Sequence, residues 1–413
     1  MNTMDNILVK YSSQKKEKGD SLPEFLAVPV DQLSEMEQKV QKALAFIYKE
    51  NDRKQPLFEK FCDWIPGKPL TIDCLDLSED ENEAKFYTAA YSSVKNNITF
   101  GMTEAIDMIE ILVHELNHAA KNTKEMYDLN EKYLKEDKKA YKQLDLMNEA
   151  DSFLLGYYVD MQQYKGKTFA EILIDESDLP FEQLDLDKYS LFFGAKYNGK
   201  TDKLEYVLPP DILEDKVENV DWPSFRKILL SSQYNILSAD HFYCARHDLT
   251  KETKSTDSQN NLPNVLKALS IPEFEGDIYA PDKVLDFDLF FKGQCDYARF
   301  LLSRGKTKRV AEFMQKRFLN DLNFADIFQE RKEKNIPFTS EEMDMFETKD
   351  ENGTYLLFPD RRKDYIDLLK SQKETDRVVK LLREGFCDTT HRDMKKMQDE
   401  NVVNALIQNI FCR

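Results

Sequence analysis

Two histidines and a glutamate in ILVHELNHAA, residues 111–120, have the spacing of a metal-dependent hydrolytic site. On a helix, residues four apart lie one turn above each other on the same face, so His114 and His118 can reach one ion. The short Zn–N distance of tetrahedral zinc suits this arrangement. Glu115 would lie beside the open coordination position, where it can take a proton from water and pass it to a leaving amine. The pattern predicts a Zn²⁺ cofactor and Glu115 as general base.

The motif must lie on a helix, and neighbouring elements must provide a surface on which this helix packs. Uncharged residues flank the histidines, and we expect a helix over residues 105–121 with Thr103 as its N-cap. A strand is expected over residues 70–75. Residues 86–100 are predicted to form two short strands around an Asn pair. The expected fold class is α+β and predominantly helical, with a small antiparallel sheet in the N-terminal half and a helical C-terminal region.

A third zinc ligand is expected from the next apolar helix, predicted over residues 144–161. Glu149 lies on its apolar stripe, and a carboxylate there is costly to bury unless it is paired or binds a metal. The alternatives are that Glu149 is solvated at a helix start, or that Asp145 or Asp151 is the ligand. Asp151 could equally accept a hydrogen bond from the second nitrogen of a ligand histidine.

The sequence HELNH resembles the zincin metallopeptidases, whose active-site helix carries HExxH after a substrate-binding edge strand. The likeness covers residues 85–161 and implies a zincin-like domain in which residues 92–100 form the edge strand. An extended peptide would then pair with residues 86–100. The metzincin branch is excluded because AAKNTK, and no third histidine, follows His118. The gluzincin branch takes a glutamate from a following helix, which implies Glu149.

The same resemblance leaves two features open. Thirty residues separate His118 from Glu149, which is more than is common in this branch, so residues 121–143 must form an exposed helix or a mobile excursion. The family also needs a donor to the tetrahedral oxyanion. The candidates are Tyr157, Tyr158, His241 and His247, although two histidines six apart are also compatible with an ordinary surface or core position.

Composition limits the partners and the compartment. The net charge of −18 and pI near 4.9 argue against binding to nucleic acid or to an anionic membrane. The six cysteines are scattered without a CxxC pair, which is typical of reduced thiols. With no apolar run or secretory signal, the expected location is the cytoplasm, or export by a route that needs no signal peptide. The expected partner is a peptide or protein substrate.

The chain is expected to contain several domains. We predict a flexible N-terminus over residues 1–30, a zincin-like metallopeptidase domain over 31–165, a helical extension over 166–250 and a helical domain over 265–413. The polar residues 251–264 are the predicted linker. Residues 296–318 match residues 364–386 without gaps, which indicates a repeated helical pair and a possible protein-binding surface.

Two functions follow from these features. The first is a zinc metallopeptidase, a hydrolase that cleaves peptide bonds with a zinc-activated water. The alternative is a non-enzymatic interaction protein that binds through its C-terminal helices and keeps the zincin-like fold as a scaffold. A purely structural zinc site is excluded, because such sites favour four ligands rich in cysteine and no cysteine lies near the motif.

Overall fold

A mixed sheet of four strands forms part of the N-terminal half of the computed structural model. From one edge to the other its strands are β1 (Leu8–Lys10), β2 (Thr71–Leu75), β4 (Asn97–Gly101) and β3 (Ala89–Ser92). β1, β2 and β4 are parallel, and only β3 runs antiparallel to β4. The predicted antiparallel sheet is therefore wrong except for the β3–β4 hairpin. The helix α1 (Glu35–Asn51) lies between β1 and β2 in the chain, and parallel neighbouring strands need a long crossover connection of this kind.

The structure describes a subset of the 413 residues. These are residues 3–10, 28–51, 57–58, 61, 64–65, 68–75, 89–101, 108–176, 191–192, 194–198, 203–206, 211–239, 258–271, 274–278, 296–311, 331–333, 337–338, 340–349, 352–357 and 359–387. The predicted helix start at Thr103 lies outside them. Within them, no helix is long and apolar enough to cross a membrane.

The remaining elements are mainly helical, as predicted for this fold class. In chain order they are α2 (Met108–Lys121), α3 (Lys124–Glu136), α4 (Lys138–Met161), α5 (Phe169–Glu176), β5 (Ala195–Asn198), β6 (Lys203–Tyr206), α6 (Trp222–Ala239), α7 (Ser258–Ala268), α8 (Ser340–Phe346), α9 (Pro359–Ser371) and α10 (Thr375–Arg383).

The region between the histidine motif and Glu149 is helical. Thr123 caps α3 by accepting a hydrogen bond from the Met126 amide, and Asp137 caps α4 by accepting one from the Ala140 amide. Met126 is buried, so this face of α3 packs on the protein instead of extending into solvent. Of the two possibilities for residues 121–143, the structure therefore has helices.

The helix α2 lies at the centre of the fold. It packs against α4, α1, β3 and β4, and four of its apolar side chains are fully buried. These are Leu112, Val113, Leu116 and Ala119. The helix α4 also packs against α6 and α7. Residues 258–264 of the predicted linker thus begin a helix, because Val265 and Leu269 at its other end are buried in the core.

The chain divides into two compact units. The first contains Met1–Leu173 and Asp185–Leu289, and the second contains Ile174–Leu184 and Phe290–Arg413. The first unit thus extends beyond residue 165, where the predicted peptidase domain ends, and includes α6 and α7.

The second unit contains the two sequence copies, and their described parts have the same backbone pattern. In each copy a helix ends in a turn that leads directly into a second helix. The residue at the turn has a positive φ in both copies, 72° at Gly305 and 64° at Lys373. The hydrogen bond that closes the turn also recurs at an offset of 68, as Lys306 to Leu301 and as Glu374 to Leu369, both 2.9 Å long.

Candidate metal centre

Three side chains from two helices bring their donor atoms together. The Nε2 atoms of His114 and His118, on α2, are 3.0 Å apart. Glu149, on α4, places Oε2 3.2 Å from His114 Nε2 and Oε1 3.6 Å from His118 Nε2. Among the described residues, these three form a group that could hold a metal ion. The spacing that suggested the histidine pair and the apolar stripe that suggested Glu149 thus lead to the same point in space.

These separations fit a zinc ion. Two ligand atoms bound about 2.05 Å from a tetrahedral ion lie about 3.3 Å apart, close to the three distances between these atoms. Three protein ligands of this kind, with one position left for solvent or substrate, are typical of catalytic zinc. Structural zinc would need a fourth protein ligand, and the described part of the chain brings no other cysteine, histidine or carboxylate into the group.

The electrostatics of the three side chains favour a cation. Burial of the His118 ring by itself lowers its pKa, but the Glu149 carboxylate outweighs burial and raises the pKa to about 9. Burial likewise raises the pKa of Glu149, yet the neighbouring His118 and His114 rings hold that pKa well below its usual range. A proton on His118 therefore supplies the positive charge that these donors would otherwise share with a metal ion.

Asn148, which precedes Glu149 on α4, contacts the Nδ1 atom of His118. The Asn148 amide nitrogen lies 3.0 Å from His118 Nδ1, while Asn148 Oδ1 is buried with no hydrogen-bond partner among the described residues. Turning this amide by half a turn places Oδ1 as acceptor for the Nδ1–H of a ring that binds metal through Nε2. The same turn satisfies the buried oxygen, so Asn148 is suited to orient this ligand.

An aromatic contact fixes the ring of His114. Phe153, one turn after Glu149 on α4, meets this ring edge-on with centroids 4.3 Å apart. His114 Nδ1 is buried without a hydrogen-bond partner in the part of the chain that the structure describes. The two histidine rings thus differ at Nδ1, because polar side chains lie next to this atom in His118 and not in His114 among the described residues.

Glu115 is held by the neighbouring strand. Its Oε2 accepts a hydrogen bond of 2.7 Å from the backbone amide of Tyr91 in β3. The Tyr91 side chain is anchored in turn, because its hydroxyl donates to Asn96 Oδ1 at 2.9 Å and accepts from Asn122 Nδ2 at 2.6 Å. Asn122 follows directly after α2. Tyr91 therefore links β3 to the Glu115 side chain and to the C-terminal end of α2.

The edge strand next to the motif is β3. The resemblance had placed residues 92–100 at the edge, but most of this segment is turn and β4, which lies between β2 and β3. A strand with a neighbour on each side has no free backbone groups for another strand. Any peptide that adds to this side of the sheet must therefore pair with β3, and residues 86–88 of the predicted segment lie outside the described residues.

The other predicted site residues have different surroundings. The buried Asp151 carboxylate contacts Arg226, Asn117 and Lys121 instead of a histidine ring. Asp145 lies one turn before Glu149 on α4 and is not in the group of converging donors.

Of the candidate oxyanion donors, the two tyrosines lie within the described residues. Tyr157 is buried beside Phe153, with ring centroids 6.2 Å apart. The Tyr158 hydroxyl donates to the carbonyl of Val220 at 3.0 Å. His241 and His247 lie outside the described residues.

Some residues in these contacts were not predicted from sequence. Asn148 and Ser152 are four apart on α4 and flank Glu149, so helical spacing alone could have placed them toward α2. No local signal could have found Tyr91 or Arg226, because each reaches the site from a separate element.

Searches against family models, curated proteins and solved structures find no match to this chain.

Proposed function

We propose that the chain is a zinc metallopeptidase in which His114, His118 and Glu149 hold the ion. The observation that supports this most is the convergence of exactly these donors at separations of 3.0 to 3.6 Å. Zinc held by them would act as a Lewis acid that lowers the pKa of a water molecule and polarises a peptide carbonyl.

Glu115 is proposed as the general base and then the general acid. Its carboxylate adjoins the first ligand histidine in sequence and is buried, with 8% of its surface exposed. The Tyr91 amide holds Oε2 through its hydrogen bond, which leaves the second carboxylate oxygen to take a proton from water and deliver it to the leaving amine. A peptide is proposed as the substrate because β3, which bonds Glu115 through its Tyr91 amide, is an edge strand of the described sheet, where an extended backbone could pair.

The experiment compares the wild type with Glu115→Gln in the full chain. Bound zinc is measured after dialysis, and cleavage of a peptide library is followed by mass spectrometry. Both proteins should bind one zinc, and cleavage should fall about 10²- to 10⁴-fold in the variant. Glu125→Gln, on the exposed start of α3, is the matched control and should cleave as the wild type does. A wild type that binds no zinc at stoichiometric supply would contradict the proposal.

The recurring helical pair in the second unit favours a second function, binding of a protein partner. This function is compatible with the first, since such a surface could present substrates. It becomes the main function if zinc binds to the wild type but no peptide or protein is cleaved.

A further inference from the structure

A buried polar chain leads from α6 to the His118 ring. It begins at Arg226, which donates to Asp151 through Nε (2.6 Å to Oδ1) and Nη2 (2.9 Å to Oδ2). Asn117 Nδ2 donates to Asp151 Oδ2 at 3.1 Å and lies 3.1 Å from Ser152 Oγ. Ser152 Oγ in turn lies 3.4 Å from Nδ1 of His118.

We propose that Arg226 and Asp151 are positioning residues for the zinc ligand His118, acting through Asn117 and Ser152. This inference depends on the proposed zinc site but not on its catalytic activity. Asp151 is fully buried, so its charge must be balanced by a fixed cation. The fixed carboxylate orients the Asn117 amide, and the amide orients the Ser152 hydroxyl that faces the ring.

Arg226 is held firmly enough for this role. Its Nη1 donates to the carbonyl of Ser270 at 3.2 Å, and its guanidinium lies over the Trp222 ring, 5.5 Å from the centroid. A second cation, Lys121, lies 3.3 Å from Asp151 and donates to the carbonyl of Leu269. Both carbonyls follow the C-terminus of α7, where the helix dipole favours positive charge.

The consequence is that the metal site depends on helices beyond the motif. Glu149, His114 and His118 come from α2 and α4, but the orientation of His118 is set in part from α6 and α7. The helical extension thus belongs to the zinc-binding unit and is not an independent appendage. Both helices lie in the first compact unit.

The test measures zinc affinity by competition with a chromophoric chelator in full-length variants. Arg226→Gln should weaken zinc binding about tenfold, because outer partners of metal ligands typically change affinity by roughly 10- to 100-fold. Asn117→Leu should do the same while leaving the Arg226–Asp151 ion pair intact, which covers the case in which Arg226→Gln does not fold. Both variants should also shift the visible absorption bands of bound Co²⁺, which report the ligand geometry.

The matched control is Tyr158→Phe. It removes one buried hydrogen bond from the same helix α4, to Val220, outside the polar chain. Its zinc affinity should remain within about twofold of the wild type and its Co²⁺ bands should not move. A loss in this control as large as that in Arg226→Gln would overturn the proposal, because any weakening of α4 would then suffice.

A double mutant tests whether the effect passes through Ser152. If it does, adding Arg226→Gln to Ser152→Ala should change zinc affinity by no more than about twofold. Independent, additive losses would overturn the proposal, as would unchanged affinity in Arg226→Gln and Asn117→Leu. A wild type without zinc binding would overturn both this inference and the proposed function. Zinc binding without peptide cleavage would overturn the proposed function alone.

Discussion

The two units each contain a cluster of polar side chains, and the clusters are built on opposite principles. In the second unit, Arg377 donates to the carboxylates of Asp344 and Glu347, and the Tyr365 hydroxyl donates to Glu347 at 3.0 Å. Each carboxylate has a hydrogen-bond donor, and the positive charge of Arg377 offsets one of the two negative charges. In the first unit, His114, His118 and Glu149 direct three electron-pair donors toward one point.

The difference distinguishes a structural ion cluster from the proposed metal centre. A structural cluster contains its own cation, which is why Arg377 lies between two acids. Among the described residues, the cluster in the first unit lacks a permanent cation, so the negative charge of Glu149 is offset when the cluster takes up a proton or a metal ion. The pKa of His118 is raised because the Glu149 carboxylate favours the protonated, positively charged ring.

Removal of a proposed zinc ligand should give the largest effect. His118→Ala should weaken zinc binding roughly 100-fold or more, since loss of an outer partner alone costs about 10- to 100-fold. At a thousandfold excess of zinc over its Kd, the wild type should gain about 4 kcal/mol of unfolding free energy. At the same zinc concentration, a 100-fold weaker variant should lose about 2.7 kcal/mol of this gain. Both tryptophans, Trp64 and Trp222, lie in the first unit, so their fluorescence follows its unfolding in urea.

The contrast with the second unit supplies the control. The Arg377→Met variant should bind zinc with wild-type affinity, because Arg377 belongs to the ion cluster of the second unit and not to the proposed zinc donors. Zinc affinity in His118→Ala equal to that of the wild type would show that the three donors are not a metal site.

The sequence allowed the local parts of this site to be predicted and not the distant ones. His114 and His118 follow from helical spacing, and Glu149 follows from a carboxylate on an apolar stripe. The β3–β4 hairpin follows from its Asn turn, and Asn96 indeed has a positive φ of 51°. The parallel pairing of β1 with β2 was missed, because it depends on a contact between segments some sixty residues apart.

The same distinction explains why Arg226 was missed. Its role depends on the packing of α6 against α4, and the sequence shows only an arginine in an amphipathic helix. Long-range packing determines which arginine contacts Asp151, and a local sequence pattern cannot show it.

The next effect is a pH dependence of the metal-free first unit. The pKa of His118 is raised from 6.5 to about 9 in the folded state, so its protonation contributes stability that is complete below pH 6.5 and lost as the pH rises through 9. The loss should be about 3 kcal/mol. The lowered pKa of Glu149 gives the opposite limit, with stability present above pH 4.5 and lost as the pH falls. We expect maximal stability between pH 4.5 and pH 6.5.

Tryptophan fluorescence in urea, with a chelator present, measures this dependence. His118→Gln should flatten the decline between pH 6.5 and 9, while Arg377→Met should leave it unchanged. A metal-free wild type as stable at pH 9 as at pH 6 would contradict the assigned role of the proton. Zinc should reverse the trend, since its binding displaces the proton and strengthens as the pH rises.

A smaller effect is expected when the second cluster loses its cation. Arg377→Met leaves Glu347 and Asp344 close together without compensation, and Glu347 has a side chain only 8% exposed. Loss of one partner from a buried pair costs roughly 3–5 kcal/mol, and the partial exposure of Arg377 reduces this to about 2 kcal/mol. Hydrogen exchange of α9 and α10 should report it.

The control for this variant is Arg383→Met in the same helix α10, whose side chain is exposed. It should change the stability of the second unit by less than about 0.5 kcal/mol. Equal destabilisation by both variants would mean that the Arg377 cluster makes no special contribution to stability. The contrast drawn between the two clusters would then be wrong.

The smallest effect should come from the spacing of the two helices that carry the zinc donors. At Gly156 on α4, an added Cβ would lie 2.9 Å from the backbone oxygen of Glu110 on α2, so the helices must separate. The proposed zinc donors come from both helices, so separating α2 from α4 moves Glu149 away from His114 and His118. Gly156→Ala should therefore weaken zinc binding about tenfold and lower stability by about 1–2 kcal/mol.

Gly166→Ala separates these two consequences. Gly166 has a φ of +91° and open space around its Cβ position, so the substitution strains the backbone without moving α2 from α4. It should lower stability by about 1 kcal/mol and leave zinc affinity unchanged. If Gly156→Ala and Gly166→Ala lose stability equally and neither loses zinc affinity, the separation of α2 and α4 does not control the metal site. A selective loss of affinity in Gly156→Ala would show that this close helix contact keeps the three donors within reach of one ion.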